Sequence, residues 1–349
     1  MAFVRDNGAA SMVGPLVQAL RAHKGEHAVG LYADPDGQAG AKLTSLKIGF
    51  HHFGAANRSE SMIRIRQHNV DAVITGLSSP RGQGEVDAEQ TAVESGVPII
   101  QAGDYWGCEV RSHIKPHLFI TIDKYAAEMA WCRDPFVKIC IAGFAGMAPI
   151  TPSTELIMKM DELRETGAKI IVFPDGGPHA AAGLQLLIES IRRSSIQVIL
   201  ITRFHPKFAG MRMGSSEQTL GEYWESILRP LRLADRVRDF SGHTTDELVM
   251  AADGVASGYS TLLMRAAVAG KVPITLWTPA TQAFLKEETG LQETPLMMRG
   301  GFPVITEPQS LDSLFETTWS EVKDLKVYDP KKAADSVLKF LDQREKQAA

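Results

Sequence analysis

Short apolar runs alternate with helical segments along the whole chain, and this alternation constrains the fold more than any other feature of the sequence. Residues 72–75 and 198–202 have the length and composition of buried strands. Residues 12–20, by contrast, repeat apolar side chains with the 3.6-residue period of a helix. Strands separated by helices are typical of parallel sheets, because two parallel strands need a crossover between them. The sequence therefore predicts an α/β fold built from parallel sheets.

Length and a break in the alternation predict two domains. The chain has 349 residues, more than one hydrophobic core usually organises. The best linker is Arg133-Asp134-Pro135, because a proline resists continuing the helix before it. We therefore predict an N-terminal domain of residues 1–134 and a C-terminal domain of residues 135–349. The second domain is expected to end in an amphipathic helix over residues 330–347.

Composition narrows the class of protein. With 44% hydrophobic and 22% charged residues the chain is typical of a soluble globular protein. A net charge of −4 gives no overall attraction to nucleic acid or to an anionic membrane. No apolar run approaches the roughly 20 residues of a transmembrane helix. The three cysteines lack a CxxC spacing, and residues 1–6 are too polar for a signal sequence, so we expect reduced thiols and a cytoplasmic protein.

Two polar motifs follow predicted strands in the second half of the chain. Arg203-Phe204-His205-Pro206-Lys207 comes directly after the strand 198–202. Gly258-Tyr259-Ser260-Thr261 comes directly after the strand 254–257 and directly before a helical segment, 262–269. Open α/β sheets bind ligands at the carboxyl ends of their strands. Both motifs are therefore candidates for one binding site.

The residue types in these motifs suit a phosphate. Ser260 and Thr261 stand at a predicted helix start, where hydroxyl groups and backbone N–H groups can point at an anion together. His205 can donate to a phosphate oxygen or offset charge as a leaving group departs, and Arg203 and Lys207 add positive charge. An alternative is that the Ser-Thr pair only caps its helix and that the His-Pro pair only forms a turn.

These motifs resemble a known group of enzymes. His205-Pro206, the segment 245–253, Tyr259-Ser260-Thr261 and the segment 266–273 look like the C-terminal domain of GT-B-fold sugar enzymes. That group includes bacterial surface-polysaccharide glycosyltransferases, sialyltransferase-like enzymes and non-hydrolysing UDP-sugar 2-epimerases. In the first half, residues 71–79 with Asp104-Tyr105-Trp106 are similar to the N-domain of polysaccharide-biosynthesis proteins of that group. The resemblance covers residues from about 2 to 280.

The resemblance implies a fold and a distribution of ligands. It implies two Rossmann-like domains facing each other across a cleft, with a nucleotide-sugar donor on the C-domain, an acceptor on the N-domain and no bound metal. His205, Ser260 and Thr261 would contact the donor phosphate, with Gly258 in the turn before them. The chain departs from the pattern at Arg265, where many relatives carry an acid that holds the donor ribose. Arginine cannot accept those hydrogen bonds. Either the ribose is held elsewhere, or the ligand carries an extra anionic group, or the chain is not a normal nucleotide-sugar enzyme; the simpler alternative is that Arg265 faces solvent.

The reacting end of the predicted site lies in the first half of the chain. Inverting sugar transfer needs a general base near the acceptor hydroxyl. Asp104 follows the strand 97–100 and is one candidate. His51 and His52 are others, one of them as the base or as a residue that binds the acceptor. Adjacent residues of an extended chain point in opposite directions, so at most one of the two histidines should reach a site.

Other cleft residues are expected from strand ends and turns. Tyr105 and Trp106 are candidates for a sugar-stacking surface. Ser78 and Ser79 lie in a predicted acceptor or lid loop. Gly176 follows a strand of the second half, and a glycine there lets the backbone approach a ligand, although a plain turn explains it equally. Gly8 lies in the opening turn 7–10, which is compatible with the first glycine-containing turn of the resembled group.

The leading hypothesis is an inverting, metal-independent glycosyltransferase that moves a sugar from a nucleotide-activated donor to a hydroxyl of a glycan or other acceptor. The nucleotide-sugar would be a co-substrate, and no other cofactor is expected. A UDP-sugar 2-epimerase is an alternative, although it needs several carboxylates around one sugar and the first domain offers few. A non-catalytic nucleotide- or sugar-binding protein is the third possibility.

Overall fold

The computed structural model describes residues 1–78, 82–177, 179–204, 211–212, 217–232, 237–238, 240–319 and 322–348. The chain divides into two compact units. Unit 1 comprises Met1–Ala148 and Asp324–Ala349, and unit 2 comprises Pro149–Lys323. In the described part of the chain, no helix has the length and apolar character that crossing a membrane requires.

Unit 1 is built on one parallel sheet. In the described residues its strands are β1 (Ala2–Phe3), β2 (Leu31–Ala33), β3 (His51–His52), β4 (Val73–Gly76), β5 (Ile99–Ala102), β6 (Leu118–Thr121) and β7 (Lys138–Ile141). Their order across the sheet is β3-β2-β1-β4-β5-β6-β7. The chain leaves β1 in one direction and returns to its other side with β4, so the strand order reverses between these two strands.

Helices cover both faces of this sheet. They are α1 (Asn7–Lys24), α2 (Gln38–Ser45), α3 (Ala55–Arg66), α4 (Gln83–Ser95) and α5 (Lys124–Arg133). The predicted period of α1 is confirmed, since Met12, Leu16 and Val17 are fully buried against the sheet. Ile65 of α3 and Ala88 of α4 pack on the opposite face. Each large apolar side chain buried in this way contributes about 1.5–3 kcal/mol to folding.

Unit 2 repeats the arrangement with a second parallel sheet. Its described strands are β8 (Lys169–Phe173), β9 (Val198–Thr202), β10 (Val237–Arg238), β11 (Gly254–Ser257), β12 (Val272–Leu276) and β13 (Val304–Ile305), in the order β10-β9-β8-β11-β12-β13. Its described helices are α6 (Thr154–Arg164), α7 (Ala180–Arg193), α8 (Leu220–Arg232), α9 (Thr245–Ala251), α10 (Thr261–Val268), α11 (Pro279–Thr289), α12 (Pro295–Arg299) and α13 (Asp312–Glu316). Here the strand order reverses between β8 and β11.

The predicted division at residues 134 and 135 is wrong. Strand β7 was expected to open the second domain, but it pairs with β6 in unit 1, with Leu118 beside Lys138 and Thr121 beside Ile141. The last helix, α14 (Pro330–Ala348), was also assigned to the second domain, yet Ala334 and Val337 are buried in the core of unit 1. Pro135 lies in an ordinary helix-to-strand connection, because a proline ends a helix whether or not a domain ends there.

Candidate functional site

A buried carboxylate, that of Asp175, lies at the reversal point of unit 2, where the strand order reverses between β8 and β11. Asp175 follows β8, and Ser257 and Gly258 lie at the end of β11, the neighbouring strand. One carboxylate oxygen of Asp175, Oδ2, accepts hydrogen bonds from the Ser257 hydroxyl at 2.9 Å and from the Gly258 N–H at 3.3 Å. These bonds tie the two loops together at the position where open α/β sheets bind ligands.

The other oxygen of Asp175 faces the start of α7. Oδ1 accepts from the Gly176 N–H at 2.8 Å and lies 3.3 Å from Nε2 of His179. Burial by itself raises the pKa of Asp175, but the nearby His179 and the hydrogen bonds from Ser257 and Gly176 outweigh it and hold the pKa below its usual value. Asp175 is therefore ionised at neutral pH although it is only 6% exposed.

His179 is a residue that the sequence predictions missed. Its ring is 4% exposed, stacks on Phe284 with 4.2 Å between centroids, and meets the ring of Tyr259 nearly edge-on. Its Nδ1 atom has no hydrogen-bond partner among the described residues. The signal in the sequence was a histidine just before a helix and just after a strand and a Gly-Gly turn, the same context that drew attention to Ser260.

The start of α10 lies at the same reversal point. The Ser260 hydroxyl accepts from the Leu262 N–H at 3.2 Å, so Ser260 is the N-cap that the alternative interpretation expected. Thr261 is the first residue of α10, and both side chains are partly exposed. The start of α7 follows the Asp175 loop. The N-termini of α7 and α10 therefore both lie at the reversal point of unit 2.

The two glycines predicted to bind the donor have structural roles in these loops. The N–H groups of Gly176 and Gly258 both donate to Asp175, so they are already engaged within the protein. A Cβ on Gly258 would lie 2.6 Å from Oγ1 of Thr281, and no side chain fits there. Gly176 and Gly258 therefore shape the site, and their amides are not its anion donors.

We expect Gly258→Ala to lower the free energy of unfolding by about 1–3 kcal/mol, because the added methyl group overpacks against Thr281. Gly183→Ala is the matched control. The nearest atom to a Cβ on Gly183, inside α7, is at 3.6 Å, and alanine favours a helix interior over glycine by about 0.5–1 kcal/mol. Urea denaturation of both variants measures the difference. A Gly258→Ala variant as stable as the unmodified protein would contradict the close packing described for this turn.

Among the basic residues predicted for the donor site, the structure describes Arg203. Arg203 donates through Nη2 to the carbonyl oxygens of Phe240 and, at 2.8 Å, of His243, so it fastens the segment that precedes α9. His205 and Lys207 lie outside the described residues.

Arg265 does not face solvent, contrary to the simpler expectation for it. It is 7% exposed, and its Nε atom lies 3.1 Å from Oδ1 of Asp246 in α9. Burial lowers the pKa of Arg265, and Asp246 opposes that shift. At the position where the resembled group carries an acid, this chain therefore has a buried arginine of α10 that pairs with an exposed acid of α9.

In unit 1, Asp104 lies two residues after β5 and has the most strongly shifted pKa of the candidate site residues. Oδ1 of Asp104 is buried without a hydrogen-bond partner among the described residues, and Nη1 of Arg111 lies 3.6 Å away. Burial and the nearby charge of Asp6 raise the pKa of Asp104 to about 7, against the lowering effect of Arg111. A carboxyl group with a pKa near neutrality is suited to general acid-base chemistry.

Gly8 and Arg111 hold this acid in place. A Cβ on Gly8 would lie 1.6 Å from Oδ2 of Asp104, so the first turn of α1 must have a glycine where the carboxyl group approaches it. Arg111 also donates to the carbonyl oxygen of Leu77 at 2.8 Å and so links the loop after β4 to the loop after β5. The sequence predictions included Gly8 but missed Arg111, which lies in a short 3-10 helix with no distinctive motif.

Several residues expected to contact an acceptor are buried instead. Trp106 is fully buried, and its Nε1 donates to both carboxylate oxygens of Asp123 at 3.0 and 2.9 Å. Tyr105 is 8% exposed and packs edge-on against Trp106. Ser78 is fully buried and donates to Glu85 at 2.7 Å, while Ser79 lies outside the described residues. The stacking surface predicted for Trp106 and the lid role predicted for Ser78 are therefore wrong, because both side chains serve the core.

His51 and His52 lie away from Asp104. Both are exposed and form β3, the edge strand of the sheet. Four strand spacings separate β3 from β5, which is roughly 19 Å at the usual distance between neighbouring strands. The structure does not bring either histidine to the carboxyl group of Asp104.

Solved structures resemble almost the whole chain. A putative UDP-N-acetylglucosamine 2-epimerase from Listeria monocytogenes has a TM-score of 0.62 and 12% identity, covering 99% of this chain and 96% of its own. MnaA of S. aureus, in a co-structure with UDP, has a TM-score of 0.58 and 13% identity, covering 95% of this chain and 90% of its own. HepE of Anabaena, in complex with UDP, has a TM-score of 0.57 and 14% identity, covering 99% of this chain and 98% of its own.

The fold is of the GT-B type. The predicted α/β class with two Rossmann-like units, and the predicted resemblance to this group, are confirmed. No protein-family model matches the chain, and no curated protein matches its sequence. At 12–14% identity the structural likeness shows the GT-B fold alone.

Proposed function

We propose that this GT-B protein is a glycosyltransferase that uses a nucleotide-activated sugar. Unit 2 binds the donor at the reversal point between β8 and β11, and Asp104 of unit 1 activates the acceptor hydroxyl. The observation that carries the donor site is the bonding of Asp175 to Ser257 and Gly258, which brings together the loops that start α7 and α10. The UDP and UDP-glucose complexes of similar structures support a nucleotide-sugar as the ligand.

Helix starts supply the electrostatics that a diphosphate needs. The first N–H groups of a helix have no partner within it, and its dipole is positive at that end. α7 has 14 residues and α10 has 8, so each offers at least two turns of aligned peptide dipoles. The hydroxyls of Ser260 and Thr261 add donors, and His205 and Lys207 belong to the same proposal as further donors. Asp246 pairs with Arg265, so an acid lies beside position 265, where many members of the resembled group carry the acid that holds the ribose.

The proposed reaction is a single displacement at the anomeric carbon. The acceptor oxygen forms a bond to that carbon, and the bond to the nucleoside diphosphate breaks. The hydroxyl proton passes to the Asp104 carboxylate, and the helix starts and cations of unit 2 stabilise the charge on the departing diphosphate. The outcome is inversion, and the mechanism requires no metal ion.

Binding of UDP tests the donor site, and two N-cap serines provide a matched pair of variants. We expect UDP to raise the melting temperature more than UMP or uridine, because only UDP carries the diphosphate. Ser260→Ala removes the cap of α10, and Ser153→Ala removes the equivalent cap of α6, whose hydroxyl accepts from the Leu156 N–H at 3.2 Å. Each substitution costs about 1 kcal/mol of stability. Only Ser260→Ala should weaken the UDP-dependent shift.

Two results would overturn the donor site. One is that none of UDP, GDP, CMP and dTDP changes the melting temperature. The other is that Ser260→Ala and Ser153→Ala reduce the UDP-dependent shift equally, since the effect would then come from lost stability and not from lost contact with the ligand.

Epimerisation is the second candidate function, because the similar structure from Listeria monocytogenes is that of a putative UDP-N-acetylglucosamine 2-epimerase. The two reactions differ in their need for an acceptor. An epimerase converts UDP-N-acetylglucosamine alone into its 2-epimer, which proton NMR detects, whereas a transferase leaves it unchanged until an acceptor is added. Conversion without an acceptor would replace the proposed reaction while leaving the donor site intact.

A further inference from the structure

A cavity of unit 1 lies at the opposite edge of the sheet from Asp104. It has a volume of about 610 Å³, within the range of small-molecule sites. Its walls come from the segments that precede β1, β2, β3 and β4, from the end of α1 and from α14. Asp104 and Gly8 lie at the carboxyl ends of the strands, so this cavity is separate from the proposed catalytic residues.

A buried cation forms part of the wall. Arg21 is 8% exposed, its Nε donates to the Val29 carbonyl at 3.0 Å, and its Nη1 donates to the Gly49 carbonyl at 2.9 Å. Nη1 also lies 3.4 Å from the exposed carboxylate of Glu26. The remaining nitrogen, Nη2, has no partner among the described residues. These contacts fix the position of the guanidinium, and its Nη2 atom can donate a hydrogen bond to an anionic group.

Two further polar side chains line the same cavity. Tyr32 is 8% exposed and has no hydrogen-bond partner for its hydroxyl within the described chain. That hydroxyl lies beside Gly30, because a Cβ there would be 3.2 Å from it. The ring of His51 lies 5.2 Å from the ring of Tyr32, also against the cavity. A tyrosine hydroxyl on the wall of a cavity can donate a hydrogen bond to an anion bound there.

The rest of the cavity decides the ligand class. Apolar side chains supply much of its surface, among them Leu20, Val29, Phe50, Leu338 and Leu341. Exposed charges of both signs line it as well, among them the carboxylates of Glu26 and Glu345 and the cations of Lys24 and Arg64. Arg21 is the buried cation of the wall, so the donors inside suit one carboxylate on an apolar body.

We propose that this cavity, defined by Arg21, Tyr32 and His51, binds a small amphipathic monocarboxylate. The carboxylate accepts hydrogen bonds from the Arg21 guanidinium and the Tyr32 hydroxyl, and the apolar body lies against α14. This assigns a site to His51, which the sequence marked as an acceptor-binding residue and the structure separates from Asp104. The inference does not depend on the proposed transferase activity.

Calorimetric titration with three probes of equal chain length tests the site. We expect octanoate to bind with a stoichiometry of one, and octan-1-ol and octylammonium to bind at least about tenfold more weakly, because hydrogen bonds to a charged group are lost. Tyr32→Phe keeps the ring and removes only the hydroxyl, and it should weaken octanoate by about tenfold. His51→Ala should weaken it as well. His52→Ala is the matched control, since His52 is equally exposed on the same strand and does not line the cavity.

Three outcomes would overturn the proposal. They are the absence of octanoate binding, binding of octan-1-ol or octylammonium as tight as that of octanoate, and equal effects of His51→Ala and His52→Ala. Arg21→Gln should abolish the preference for the carboxylate. If that variant does not fold, Tyr32→Phe decides the matter, because it changes no packing.

Discussion

Replacement of Asp175 by alanine is expected to abolish UDP binding and to lower the free energy of unfolding by about 3–5 kcal/mol. Asp175 is ionised and buried, and it accepts from Ser257, Gly258 and Gly176 while facing the ring of His179. Without the carboxylate these donors lose their acceptor, and the loops that start α7 and α10 lose the bonds that tie them together. The measurements are urea denaturation and UDP titration.

Asp161→Ala is the control for this effect. Asp161 is an exposed acid of α6 that pairs with Arg164 at 2.8 Å, and exposed pairs contribute only about 0–1 kcal/mol. Asp175→Asn separates charge from shape, since the amide keeps the volume of the side chain. If Asp175→Ala were as stable as Asp161→Ala and bound UDP normally, the carboxylate would not organise the reversal point, and the donor site would have to lie elsewhere.

Replacement of Asp104 by asparagine is expected to reduce sugar transfer by about 10²–10⁴-fold while UDP binding in unit 2 is unchanged. In the unmodified protein the rate should rise with pH around a midpoint near 7, because a base must lose its proton and the pKa of Asp104 is raised to about 7. The rate of Asp104→Asn should not show this rise. A pH-rate profile with a saturating donor measures both.

The same substitution is expected to stabilise the protein at high pH. The folded pKa of Asp104 lies above its ordinary value of 3.8, so its stabilising contribution is present below about pH 4 and is lost as the pH rises through 7. Asp104→Asn removes that loss and should be more stable than the unmodified protein above pH 7, by the order of 2–4 kcal/mol.

Glu109→Gln is the matched control for Asp104. Burial also raises the pKa of Glu109, and its Oε2 is buried without a hydrogen-bond partner within the described residues. This variant should share the gain in stability and retain the transfer rate. Equal loss of transfer in both variants would contradict the assignment of Asp104 as the base.

The sequence predicted the parts of the site that depend on a few neighbouring residues. The strand before Gly258, the helix start at Ser260 and the acid after β5 all follow from local patterns, and the structure has each of them. The start of α9 is also set by neighbouring residues, because Thr244 and Glu247 form a capping box there.

Tertiary contacts separated the candidates that the structure contradicts from those that stay predictions. Asp104 and Trp106 are two residues apart after the same strand, yet Asp104 meets Gly8 while Trp106 lies in the core against Asp123. No local pattern distinguishes these outcomes, because they depend on which helix packs over each side chain. His179 and Arg111 were missed for the same reason, since their partners are supplied by the fold.

The sequence alone determined the parallel α/β class and the existence of two units, because the periods of strands and helices are set by backbone geometry over a few residues. Only the tertiary structure decided that β7 and α14 belong to unit 1, that Asp175 bonds to Ser257 and that Arg21 and Tyr32 meet at one cavity. The packing of α14 on unit 1 and the bond between Asp175 and Ser257 join residues far apart in the chain, and the cavity takes in residues of α14 as well. They depend on strand order and on the packing of whole helices, which are properties of the complete core and not of any segment within it.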